Sequence, residues 1–150
     1  MADRPAGRLP LLVANGGTGD LIRANGATGN VFRVSNNGTT VTKVLQITGG
    51  ADLSEQFEVT GADQSSNETR PPKVQPGMVV SIDAKNPGKL LITSKAYDRR
   101  VAGIVSGAGG IATGMLMGQN GSAADGSTPV ALSGRVYVFA SASNGAIAPG

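Results

Sequence analysis

The chain has 150 residues and a formal net charge of +3, with 23 glycines, 8 prolines and no Cys, His or Trp. That length predicts one domain or two small ones. Without Cys or His there is no zinc finger, iron–sulfur cluster, His-based triad or thiol nucleophile, and any metal site needs oxygen ligands alone.

The 14 Val and 7 Ile outnumber the 10 Leu two to one, a balance that favours short strands and turns over helices. No run approaches the roughly 18 apolar residues of a membrane span, so no membrane span is expected. The start, MADRP, lacks an apolar run, and LPLLVA at 9–14 is short and carries a proline. No secretion signal is recognisable. The 13 basic residues are scattered, with Arg99-Arg100 the only adjacent pair. A nucleic-acid binder calls for a basic stripe with stacking aromatics, so no nucleic-acid partner is expected.

A ten-residue repeat comes first. GTGDLIRANG (17–26), ATGNVFRVSN (27–36) and NGTTVTKVLQ (37–46) align without gaps. One column holds Leu21, Val31 and Val41; another holds Arg23, Arg33 and Lys43. Each unit reads as one strand and one tight turn, with Asn25-Gly26 and Asn36-Asn37-Gly38 as turns because Gly and Asn accept positive φ cheaply. Period-two alternation puts Leu21, Arg23, Val31 and Arg33 on one face, and Ile22, Ala24, Phe32 and Val34 on the other. A unit this short cannot bury its own apolar face. It stacks either as a meander in one small sheet or as a fibre intertwined between three chains. The basic column fits a solvated outer face, with a sugar- or anion-binding stripe as the alternative.

Residues 51–57, with Asp52, Leu53, Glu55 and Phe57, read as one helical turn capped by Asp52 or as the end of a strand. Residues 60–72 are polar and end in two prolines, which predicts an exposed loop. Beyond them Pro76-Gly77 turns into a strand ending at Ile82, and Asn86-Pro87-Gly88 turns back into Leu90, Leu91, Ile92 and Thr93. A further strand covers 101–105 and is ended by SGAGG at 106–110. Residues 129–132 and 135–140 read as strands paired around Ser133-Gly134. Strands at this spacing predict a small β-barrel or sandwich.

Candidate chemistry is sparse. The 106–110 stretch lacks the Gly-Lys-Ser/Thr of a phosphate-binding loop and has no following helix, which leaves a turn between strands. Asp52 and Glu55 are candidates for an acid–base pair or oxygen ligands, against capping and solvation. Asp98 beside Arg99 and Arg100 reads as a surface ion pair. Tyr97 and Tyr137 read as half-buried strand aromatics, and Ser133 as a turn serine.

Four stretches together carry a resemblance: GGADLSEQF at 49–57, VQPGMVVSID at 74–83, KAYDRRVAGIVSGAGG at 95–110 and PVALSGRV at 129–136. They resemble a domain found near the C-termini of phage tail-fibre-like and bacterial appendage-like proteins. That domain is similar to the self-cleaving intramolecular-chaperone domain of phage neck appendages. The resemblance covers about two-thirds of the chain, and the upstream decapeptides look like tail-fibre shaft repeats. It implies a homotrimeric, β-rich fibre component of a virion or extracellular surface appendage, with no cofactor. In the self-cleaving relatives a Ser-Asp-x-x-x-Glu-like segment lies near this region. Here Ala51 stands at the serine position and Glu55 follows Asp52 at a shorter spacing, a departure that counts against autoproteolysis.

The expected fold is therefore all-β. A short N-terminal arm with fibre-shaft-like β-repeats (1–47) leads through a linker and exposed loop (48–73) into a β-barrel-like or sandwich domain (74–150), intertwined between chains. The expected function is structural and non-enzymatic: a subunit of a tail fibre or filament whose partner is itself, as a trimer or filament. The alternatives are a self-cleaving trimerising chaperone, and a surface module that binds cell-surface glycan through the 60–72 loop or the 106–110 turn.

Overall fold

The structure, a computed structural model, describes residues 11–61 and 73–149. Residues 1–10 of the expected arm, residues 62–72 of the expected loop and Gly150 lie outside the described residues. The described chain is nearly all-β and divides into two compact units, Met1–Gln46 and Ile47–Gly150.

In the first unit β1 (Asp20–Gly26), β2 (Gly29–Ser35) and β3 (Thr40–Thr42) pair in order as an antiparallel sheet. Arg23 lies opposite Arg33, while Ile22 lies opposite Val34 and Ala24 opposite Phe32. Antiparallel pairing reverses each successive strand, so equal repeat positions cannot all meet. Arg33 faces Val41 rather than Lys43 on β3. The first turn also differs from expectation. Asn25 and Gly26 stay in β1, and the reversal runs through Ala27-Thr28 into Gly29, whose φ of 108° supplies the left-handed step. The second turn falls at Asn36-Asn37-Gly38, where the Gly38 N–H donates to the Ser35 carbonyl at 3.0 Å. No described residue of this unit is buried.

The second unit holds β4 (Ala51–Phe57), β5 (Val59–Thr60), β6 (Val79–Ile82), β7 (Leu90–Ile92), β8 (Val101–Val105), β9 (Met115–Met117) and β10 (Thr128–Arg135). They form one sheet in the order β5-β7-β6-β8-β10-β4-β9, curled into a half-barrel. The outermost pairs, β5 with β7 and β4 with β9, are parallel, and the others are antiparallel. Curling brings Val80, Leu90, Val105 and Val130 together as a buried core, with Phe57, Val59, Val74, Met78 and Ala102 packed against it. The turns at Pro76-Gly77 and Asn86-Pro87-Gly88 form where the glycines supply positive φ, 92° and 85°. Asp83 holds the second of them by accepting the Lys85 N–H at 2.9 Å and the Asn86 side-chain amide at 2.8 Å.

Two expectations are corrected. Of the two readings of residues 51–57 the strand holds and the helical turn does not, and these residues are not linker: β4 lies between β10 and β9 inside the sheet. Its alternation of exposed and buried residues over 51–54 is the period of a half-buried strand. Ser133 and Gly134 do not turn the chain. β10 runs through both, with a bulge at Leu132, and the expected partner strand at 135–140 does not form beyond Arg135. Gly134 has a φ of 103°, and a Cβ there would lie 2.3 Å from the Ala51 carbonyl oxygen. The glycine therefore serves a close approach between β10 and β4 rather than a reversal.

Candidate functional site

β4 carries Asp52 and Ser54 on its inner face, and by the same alternation Leu53 and Glu55 on the other. Asp52 is only 6 % exposed. β8 ends at Val105, and buried Ser106 follows before Gly107, at φ 99°, turns the chain into a 3-10 turn over Ala108–Gly110. This path brings the Ser106 hydroxyl to Asp52 Oδ2, to which it donates at 2.8 Å. The Ser54 hydroxyl donates to the same oxygen. The Gly114 N–H donates to Oδ1 at 2.9 Å. Thr113 donates to Ser106 Oγ at 3.0 Å, which completes a chain of hydroxyls ending on the carboxylate.

Burial raises the Asp52 pKa, but the hydrogen bonds from Ser54, Gly114 and Ser106 outweigh it, and the carboxyl is held below its ordinary value. A carboxylate so stabilised is a weak base. Its oxygens are already occupied by three donors from β4, the end of β8 and the approach to β9. The arrangement therefore pins three separate parts of the chain to one another. A Cβ at Gly114 would lie 2.6 Å from the Asp52 carbonyl oxygen, so the backbones meet where only glycine fits.

Beside the cluster lies an open cleft of about 370 Å³, lined by Asp52, Ser106, Gly107, Ala108, Arg135 and Tyr137 among others. The Tyr137 ring lies over Gly109, where a Cβ would come within 2.6 Å of it.

The other sequence candidates are dispersed. Asp52 and Glu55 sit on opposite faces of β4 and do not form a pair. Ser133 lies in β10, exposed and opposite Leu53. Tyr97 is not a half-buried strand residue; it is fully exposed in a turn at φ 54°. Tyr137 is 61 % exposed and outside any strand. Asp98 pairs with Arg100, whose Nε and Nη2 reach its two oxygens at 3.1 and 3.0 Å. The Arg100 side-chain and backbone N–H hydrogen bonds pull the Asp98 pKa down to about 2. In the first sheet Arg23 is bound to Asp20 at 2.6 Å. Among the described residues no three Asp or Glu gather as metal ligands.

Thr113 and Gly114 carry no sequence signal as site residues, and Ser106 enters only as the first residue of the 106–110 turn. The one local signal is Asp52 and Ser54 two residues apart, the spacing that puts both on one face of a strand. Comparison with protein-family models, curated proteins and solved structures gives no match.

Proposed function

We propose that the chain is a structural subunit of a phage tail fibre or an extracellular filament, assembling by β-strand pairing between copies. The first unit carries the reading: a three-stranded sheet without one buried residue among those described. A sheet that buries no side chain gains little from the hydrophobic effect and is marginal in water until its apolar residues are covered. It leaves Ile22, Val41, Val44 and Leu45 exposed. Copies of the same sheet supply the missing cover, as stacked repeats do. The Asp52 cluster supports a structural rather than a catalytic protein, because its carboxylate is a weak base and its hydroxyls are engaged with one another. The self-cleaving alternative loses ground with Glu55 turned away from Asp52. Static light scattering over a concentration series, beside negative-stain electron microscopy, tests the reading. Trimers or longer filaments are expected; a monomer at every concentration overturns it.

One observation favours a second reading. The exposed Tyr137 ring stands with Arg135 at the cleft above Asp52, and a sugar ring stacks on such an aromatic. A glycan array on the wild type and on Tyr137→Ala tests it. Hits lost in the variant support a glycan site, and an array without hits removes it.

A further inference from the structure

The two sheets leave four edges among the described residues: β1 and β3 in the first, β5 and β9 in the second. Native sheets guard such edges with charge, because an unguarded edge templates pairing with another chain. β1 contains Asp20 and Arg23, and Lys43 follows β3 directly. β5 is two residues long and follows Glu58, which pairs with Lys89. β9 alone has no such guard. It reads Met-Leu-Met, and the sequence holds no charged residue between Arg100 and Asp125. Met115, Leu116 and Met117 are 40 %, 48 % and 42 % exposed, so both faces of this edge are apolar and open.

A second segment has the complementary defect. Residues 136–139 read Val-Tyr-Val-Phe, β-branched and aromatic in alternation, the composition of a strand. They nevertheless lie outside every strand, with Tyr137, Val138 and Phe139 exposed. The Phe139 N–H donates to the Gly77 carbonyl at 2.9 Å. Among the described residues no backbone hydrogen bond reaches Val136 or Val138. In an extended segment alternate residues aim their backbone groups at opposite edges, so pairing through Val138 leaves the Gly77 bond intact.

We propose that residues 136–139 of one copy add as a strand to the free edge of β9 in a second copy. The inference rests on the self-association reading above and adds to it a contact made by the second unit. The donor has to come from another molecule. Within one chain 136–139 continues β10, and β4 stands between β10 and β9, so the open side of β9 faces away. The side chains match as well as the backbones. Met115 and Met117 share one face, Tyr137 and Phe139 share another, and thioether sulfur packs well on aromatic rings. Neither segment brings a charge that the contact would bury. Donor and acceptor are different surfaces, so the contact runs head to tail. It closes into a ring such as a trimer if the rotation permits, and otherwise continues as a filament.

The test places a lysine on each side in turn, Leu116→Lys on the acceptor and Val138→Lys on the donor, in the full chain. Each raises the concentration needed for this contact by about a hundredfold or more, through an unpaired charge forced into it. A cooperative thermal melt, matched to that of wild type diluted below its association range, establishes that each variant folds. In each variant alone, exchange at 115–117 and 136–139 stays as fast as in dilute wild type. Mixed in equal amounts, 136–139 of the Leu116→Lys chain and 115–117 of the Val138→Lys chain regain protection, because one intact donor meets one intact acceptor, whatever association the first unit supports. A folded Leu116→Lys or Val138→Lys chain that gains protection at both segments like the wild type overturns the proposal and leaves the self-association reading standing. A wild type that never associates overturns both. Hydrogen exchange on the wild type gives a readout that no folding defect can confuse. Protection at 115–117 and at 136–139 rises with protein concentration, whereas protection there that stays constant while the protein associates sinks the proposal.

Discussion

Protonating Asp52 weakens three hydrogen bonds at once, because Ser54, Ser106 and Gly114 all donate to it. Asp52→Ala goes further and leaves three donors without their acceptor in a buried place. It should destabilise the second unit by about 2–4 kcal/mol, measured as a shift of the urea midpoint. Acid acts in the same direction. Asp52 and Asp98 are both held below the ordinary 3.8 in the folded chain, Asp98 at about 2. Their stabilisation is complete above the unfolded value and is lost as pH falls through the folded one. The melting temperature should therefore be flat above about pH 5 and fall as pH drops below 3.8 towards 2. Asp98→Asn should remove part of that fall; an unchanged acid limb would show that the Asp98–Arg100 pair contributes nothing. The sequence marks Asp52 and Glu55 as a candidate pair, against capping and solvation. An odd spacing on a strand sends two side chains to opposite faces, and the partners that matter lie at Ser106 and Gly114, more than fifty residues away. Nothing local encodes that meeting.

Strands were legible where turn chemistry bounded them. Pro76-Gly77 and Asn86-Pro87-Gly88 fixed β6 and β7, because proline and a positive-φ glycine leave the chain few alternatives. Elsewhere the same residues misled. Ser133-Gly134 has the composition of a turn, yet Gly134 uses its freedom to let β10 pass close to the Ala51 carbonyl. Gly134→Ala should cost about 2 kcal/mol or more by thermal melt, since the φ of 103° and the 2.3 Å approach both oppose a side chain. Were Gly134 in an ordinary turn with open space around it, the loss would stay nearer 1 kcal/mol. β9 escaped notice for a different reason. Three residues between Gly114 and Gly118 are too few for a period, and their place is set by the parallel pairing of Leu53 with Met115 and Glu55 with Met117.

The two units differ in what holds each of them. The second has a core around Val80, Leu90, Val105 and Val130, whereas the first has no buried residue among those described. The isolated fragment 1–46 should accordingly lack a cooperative melt by circular dichroism wherever it is monomeric. A sharp, concentration-independent transition in that fragment would mean that its sheet stands alone. The all-β class could be read from Val, Ile, Gly and Pro usage. A barrel or sandwich could be read from the strand spacing, but not the strand order, which depends on strands far apart in the chain.

The place of β4 in that order has a consequence for synthesis. The earliest strand of the second unit pairs with β9 and β10, two of the last. At a ribosomal rate of roughly 5–20 residues per second, β4 waits about 4–15 s after its own translation before β10 exists. During that delay Asp52 and Ser54 are solvated rather than enclosed, and the nascent chain presents a half-finished sheet to its surroundings. A pause over residues 118–127, between β9 and β10, lengthens that wait.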